Sequence, residues 1–275
     1  MVRLTANKLP IVLCLVVLAA GLVLTPRAML RGSIAARRSV YFSVLTYNIH
    51  VGVGMDKKLD LRRIAEVIKN ENPDLVALQE VDRGVRRTEG KDEIVELAQL
   101  TGMEYAFAPN LDYQGGKYGV AILSRFPILA IDHQRYANKR EAERRGFLRV
   151  EVMIKGRKLN FVTTHLDYQY ADGRLFETEQ LMKALDSVEG PIVVAGDFND
   201  EPTGSSYALI TSHSYTDAWR AAMKSTMDGF TYPADKPVKR IDYIFARKGV
   251  DVQRVVTRPS LASDHLPVLA GLALR

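Results

Sequence analysis

With 275 residues, of which 47% are hydrophobic and 25% charged, the chain has a globular composition and the length to bury a large core. Its net charge of +6 resides in Arg3, Lys8, Arg27, Arg31, Arg37 and Arg38, so the remainder balances 32 basic against 32 acidic residues and lacks the excess of a nonspecific nucleic-acid binder. The only cysteine, Cys14, excludes disulfides, thiolate nucleophiles and Cys-rich zinc sites from everything that follows it.

In chain order, the first feature is an uncharged, mostly Leu, Val, Ile and Ala run of 18 residues between Lys8 and Arg27. As a helix it would be roughly 27 Å long, close to the hydrocarbon thickness. Residues 1–26 therefore read as a transmembrane anchor or signal segment, with the anchor favoured because the small-residue site Ser33-Ile34-Ala35 lies well beyond the run. Basic residues flank it on both sides and leave its orientation open, an extracytoplasmic domain being the placement favoured. A basic linker, 27–39, leads to one α/β domain over 40–275.

Within that domain, Val40–Asn48 reads as a strand, followed by a helix over Leu59–Asn70 with Leu61, Ile64, Ala65 and Ile68 on one face, Asp60 as its cap and Pro73 beyond its end. A buried strand over Asp74–Glu80 and a helix over Asp92–Thr101, closed by Gly102, continue the alternation. Short strands are expected around Tyr105–Ala108, Val120–Ser124 and Ile128–Asp132. Phe147–His165 forms a hairpin turning at Lys155-Gly156, and Gly173–Val188 a helix stopped by Gly190-Pro191. Strands at Ile192–Ala195, Ile241–Ala246, Val252–Thr257 and Leu266–Leu272 complete the order.

Polar residues gather at the ends of these strands: Asn48 and His50 in LTYNIH, Glu80 in LQEV, Thr164 and His165 in TTHLD, Asp197 and Asn199 in GDFND, Asp242 in RIDYIF, and Asp264 and His265 in SDHLPV. Side chains so placed can converge at one edge of an α/β sheet. Carboxylates with a hard divalent cation, helped by imidazoles and amides, are what phosphate-ester hydrolysis requires: an activated water, charge neutralisation and assistance to the leaving oxygen. Glu80 and Asp264 are oxygen ligands for such a cation, and Asn48 can add a neutral one. His165 and Asn199 can hold phosphate oxygens, Asp197 can orient or deprotonate water, and Asp242 can fix the tautomer or charge of His265.

From about Val44 onward the chain resembles the endonuclease/exonuclease/phosphatase superfamily, on five motifs in the family's order: the YN strand end, LQEV, TTHLD, GDFN with RIDYI downstream, and SDHLPV. The resemblance implies a DNase-I-like four-layered α/β/β/α sandwich with its active site at one rim. It implies Glu80 as principal metal ligand with Asn48 and Asp264 nearby, Asp197 as base, Asn199 and His165 on phosphate, and Asp242 with His265 as a dyad. Tyr118 in GKYGVAILS and Arg145 are further substrate-contact candidates. With five histidines in all, a His-rich zinc centre is disfavoured, and Mg²⁺ or Mn²⁺ is the expected ion.

His133 and His213 read as surface or loop residues, and Trp219 and Phe230 as packing aromatics. The segment from Arg135 to Arg149, in which Glu141 and Glu143 interrupt the basic residues, reads as a solvated mixed-charge face before it reads as a substrate clamp. The expected activity is metal-dependent hydrolysis of a phosphodiester, or of a phosphomonoester, on a lipid headgroup or other envelope-accessible substrate, by a monomer. A nuclease is the alternative enzyme, with nucleic acid the less favoured partner, and a catalytically silent membrane-tethered binding module the alternative of another class.

Overall fold

The computed structural model describes residues 39–223 and 229–275. The expected apolar anchor therefore lies outside the described residues, and no described helix is long and apolar enough to cross a membrane. In chain order the elements are β1 (Val40–Asn48), α1 (Leu61–Glu71), β2 (Leu75–Arg83), α2 (Glu93–Thr101), β3 (Glu104–Tyr113), β4 (Gly116–Ser124), β5 (Ile128–Arg135), β6 (Gly146–Ile154), β7 (Arg157–His165), α3 (Ala171–Asp186), β8 (Ile192–Asp197), α4 (Ser205–Ser212), β9 (Thr216–Asp217), α5 (Ala218–Met223), β10 (Asp242–Arg247), β11 (Val250–Thr257) and β12 (Val268–Leu274).

They form two six-stranded mixed sheets, ordered β11-β12-β1-β2-β4-β3 and β5-β6-β7-β8-β10-β9. Each sheet has one parallel pair, β1 with β2 and β7 with β8, among antiparallel neighbours. Period-two alternation sends Phe42 and Val44 of β1, Leu75 and Ala77 of β2, Leu159 and Phe161 of β7 and Val193 and Ala195 of β8 into one core between the sheets. The opposite parity, Leu45, Val76 and Leu78, packs against Leu61, Ile64 and Ile68 of α1 and Ile94 and Leu97 of α2. On the second sheet Val162, Val194, Tyr243 and Phe245 face Leu181, Met182 and Leu185 of α3 and Ile210 of α4. Three apolar layers between four layers of elements make the expected α/β/β/α sandwich.

Local chemistry explains the ends of α1 and α2. The Asp60 carboxylate accepts the Arg62 N–H at the start of α1, Asn72 closes that helix in the left-handed conformation, and Gly102 does the same for α2. The structure differs from expectation in the β3–β4 hairpin, which extends to a turn at Gln114-Gly115, and in α4, whose Ser- and Thr-rich sequence has weak helix propensity. Its helical form follows from tertiary contacts: Asp200 accepts the N–H groups of Ser206 and Tyr207 at 2.9 and 3.1 Å, while Tyr207 and Ile210 are buried.

Candidate active site

The parity that builds the inter-sheet core also aims the polar strand ends. Asn48 is in phase with Val44, His165 with Phe161, Asp197 with Ala195, and Asp242 with Ile244, so all four point between the sheets at one rim. Antiparallel β10 begins where β8 ends, and Asp242 and Asp197 are register partners, as are His165 and Asp197. Glu80 arrives differently. The register of β2 against β4 shifts between Leu78 and Val81, and Glu80 adopts φ of 57°, so it is the extra residue of a bulge that redirects its side chain out of the alternation. His50 and Asn199 also hold positive φ, at 46° and 49°. Three non-glycine residues in this costly conformation at one rim are held there by the surrounding fold. Gly196 of GDFN is required for a plainer reason, since a Cβ there would lie 2.1 Å from the Thr164 carbonyl oxygen of β7.

These residues line one cleft of about 810 Å³, in which Glu80, His165, Asp197, Asn199, Asp264 and His265 meet. At its base the Asn48 side-chain N–H₂ donates to Glu80 Oε1 at 2.9 Å and to Asp197 Oδ2 at 3.0 Å. Its oxygen accepts the His50 N–H at 3.1 Å, so the amide presents nitrogen, not the oxygen expected of a metal ligand, to the two carboxylates. Asp197 Oδ1 accepts the Asn199 N–H at 2.9 Å. Ser263 ties the Asp264 loop to β1 by donating to the Asn48 carbonyl at 2.7 Å.

The Asp242–His265 dyad is present: His265 Nδ1–H donates to Asp242 Oδ2 at 2.9 Å, and Thr231 Oγ–H donates to the same oxygen at 2.5 Å. His265 Nε2 lies 3.7 Å from Asp197 Oδ2. Burial opposes the charge of His265, but the carboxylates of Asp242 and then Asp197 outweigh it and raise its pKa, keeping the ring an imidazolium. Burial, followed by repulsion from Asp242, raises the Asp197 pKa.

His165 is the opposite case. Burial, then the fields of Arg145 and His265, holds its pKa well below the usual histidine value, so the ring is neutral. Arg145 Nη1 lies 2.6 Å from His165 Nδ1 and can only donate, which leaves the ring proton on Nε2, 3.5 Å from Asp197 Oδ2. Arg145, a candidate for reaching a substrate phosphate, is 3% exposed and thus supports an imidazole from below. Tyr118 lines the cleft, and burial together with nearby Glu80 raises its pKa so far that its hydroxyl stays protonated. Thr164 is structural, donating to the Gly146 carbonyl at 3.1 Å, and His50 Nδ1 lies 3.0 Å from the Val53 carbonyl.

A hard divalent ion fits this donor set. Glu80 and Asp264 are partly exposed carboxylates on the same cleft, and Asp242 Oδ1 is buried without a hydrogen-bond partner. The side chains of Asp197, Asp242 and His265 also come within 4.8 Å of one another. A protonated imidazole already bonded to Asp242 is a poor ligand, however, so that trio is better suited to proton handling, and Glu80 with Asp264 to holding the ion.

Two supports were not foreseen. Glu93 of α2 accepts the Asp82 N–H and Glu177 of α3 accepts the Asp167 N–H, each at 2.7 Å. Each buried glutamate thus clamps the chain two residues beyond a site residue, Glu80 or His165. In the segment before β6, Lys139 and Arg140 lie over Phe176 and Tyr170, and of its basic residues only Arg145 lines the cleft, beside Glu143. Trp219 packs on the inter-sheet core, whereas Phe230, expected to pack, is 39% exposed.

The family model described as Endonuclease/Exonuclease/phosphatase family matches residues 45–265. The chain belongs to that family. Members of the endonuclease/exonuclease/phosphatase family are phosphoester hydrolases, and the matched span contains every site residue described above. The chain is 27% identical over 249 residues to the uncharacterised protein YbhP of Escherichia coli strain K12, an alignment covering 85% of this chain and 96% of that one. A family structure from Beutenbergia cavernae superposes with a TM-score of 0.69 at 26% identity, over 86% of this chain and 72% of that one. The mannosyl-6-phosphatase of Bacteroides thetaiotaomicron shares the fold, with a TM-score of 0.70 at 17% identity over 84% of this chain and 99% of that one.

Proposed function

We propose that this protein is a divalent-metal-dependent phosphodiesterase acting on a phosphorylated headgroup at a membrane surface. The observation that carries the reading is the convergence of Asp197, the Asp242–His265 pair, neutral His165 and Asn199 beside the Glu80 and Asp264 carboxylates in one cleft. Bound at Glu80 and Asp264, Mg²⁺ or Mn²⁺ would supply Lewis-acid neutralisation of charge on the phosphoryl oxygens. Asp197, with its raised pKa, accepts a proton from the attacking water. His265 directs its charged Nε2–H at an oxygen that gains charge in the transition state, while Asp242 keeps the ring in place. His165 offers Nε2–H and Asn199 its amide to the nonbridging oxygens.

The headgroup assignment is supported by the balanced charge of the domain and by the apolar run over residues 9–26. The test is turnover of bis(4-nitrophenyl) phosphate by the full-length protein with Mg²⁺ or Mn²⁺, with chelator, and in Asp197→Asn. No turnover with either ion would favour a silent binding module, and full activity in Asp197→Asn would remove the proposed base. A panel of glycerophosphodiesters, phospholipid vesicles and DNA decides the substrate; preferential cleavage of DNA would overturn the headgroup assignment.

A further inference from the structure

One wall of the cleft holds an arginine that the hydrolytic chemistry does not use. Arg87 Nε and Nη2 donate to the two oxygens of buried Asp82 at 2.8 and 3.0 Å. Its guanidinium lies over the rings of Tyr113 and Tyr118, with centroids 4.8 and 5.1 Å away. Paired on one edge and stacked on two rings, the side chain has little freedom left to lose on binding a ligand. Its Nη1 makes no hydrogen bond to a described residue, the side chain is 36% exposed, and it lines the same cleft as Glu80 and His165.

The second observation concerns Glu143. This carboxylate also lines the cleft, half-buried at 33% exposure, with Oε1 3.2 Å from Arg145 Nη1. That oxygen is nevertheless inaccessible and without a hydrogen-bond partner. Burial raises the Glu143 pKa above the usual carboxylate value; Arg145 and Arg87 oppose that rise, and Glu80 and Asp167 add to it. A carboxylate on the cleft wall with one oxygen left without a hydrogen bond competes weakly for the cleft's arginines, and an incoming anion can displace it.

We propose that Arg87, backed by Tyr113 and Tyr118, forms a second anion subsite for which Glu143 is the internal competitor, and that the preferred substrate carries a second phosphate on the headgroup bearing the scissile ester. The inference rests on the phosphoesterase reading of the same cleft. A counter-ion for Asp82 alone would need no edge open to the cleft, and Arg87 has one.

The experiment compares binding of fructose 1,6-bisphosphate and fructose 6-phosphate to the full-length protein by calorimetry in EDTA, where turnover plays no part. The bisphosphate is expected to bind at least ~10-fold more tightly, the scale of one charge-assisted contact. Arg87→Ala should reduce that ratio below ~3-fold, and Glu143→Gln should widen it by ~3-fold or more. Circular dichroism establishes that each variant is folded; if the stranded Asp82 unfolds Arg87→Ala, the pair Asp82→Asn with Arg87→Gln replaces it. A ratio near one in the unmutated protein, a ratio retained without Arg87, or no response to Glu143→Gln overturns the subsite. Failure of bis(4-nitrophenyl) phosphate hydrolysis with the binding ratios as expected would instead overturn the phosphoesterase reading and leave the subsite standing.

Discussion

Arg145 fixes the proton of His165. Its Nη1 meets His165 Nδ1 at 2.6 Å, and because a guanidinium has no acceptor, the imidazole must be the Nε2–H tautomer. Asn199 Nδ2 lies 3.1 Å from that Nε2 while also donating to the Leu166 carbonyl. Arg145 therefore fixes the ring at Nδ1, and the Nε2–H, which faces a second donor in Asn199 Nδ2, is left for an acceptor oxygen.

Removing this support should cost activity through His165. Arg145→Ala is expected to lower kcat about 10- to 100-fold, the usual scale for a residue that orients a working imidazole. Nitrogen NMR of His165 should show the Nε2–H tautomer in the unmutated protein and a tautomer mixture or a charged ring in the variant. An unchanged tautomer with normal kcat would make Arg145 a packing residue only.

Glu80 and Asp264 should be read out by the metal itself. If they hold the ion, saturating Mg²⁺ at 100 times its dissociation constant adds about 2.7 kcal/mol to stability by mass action. Thermal melting with and without Mg²⁺ should then show an upward shift in Tm that chelator reverses and Glu80→Gln largely abolishes. A shift of equal size in Glu80→Gln would place the ion elsewhere.

The Asp242–His265 pair sets the direction of a pH effect. In the fold Asp242 and Asp197 raise the His265 pKa above its ordinary value, so the imidazolium is the working form and activity falls as rising pH removes its proton. Asp242→Asn takes away the nearest carboxylate charge, and the alkaline limb of kcat against pH should move to lower pH, with kcat reduced about 100-fold or more. A limb that stays in place would assign it to another group.

Much of this was legible in the sequence because active-site chemistry needs particular residue types at strand ends. Asn48, His165, Asp197 and Asp242 share the parity of apolar neighbours that any sheet-on-sheet packing buries, and so their meeting follows from alternation. Glu80 was legible as a residue type but not as a bulge, since the register slip depends on how β2 meets β4. The direction of the Asn48 amide was equally hidden, being set by the His50 backbone. Arg145 was noticed as a charge, yet its contact with His165 depends on the antiparallel pairing of β6 and β7, which places Gly146 opposite His165. Helix α4 was missed because its stabilising partner, Asp200, acts through backbone N–H groups that propensity does not register.

The two buried glutamates predict the pH dependence of folding. Burial raises both Glu93 and Glu177 from 4.5 to about 8. Between those values the unfolded chain has released protons that the folded chain retains, so the unfolded state binds fewer protons and stability declines as pH rises, by up to about 1.4 kcal/mol per unit for each group. The contribution is fully present below the unfolded pKa and is lost as pH passes through the folded one. Glutamine preserves the acceptor for the Asp82 or Asp167 N–H and removes the titration. Glu93→Gln and Glu177→Gln should therefore each flatten the fall in unfolding free energy between pH 5 and 8, measured by urea denaturation, and the double variant should flatten it most. If unmutated protein and double variant give parallel profiles over that range, the two carboxyls titrate alike in the folded and unfolded states, and the clamps on the Glu80 and His165 loops hold without regard to their protonation.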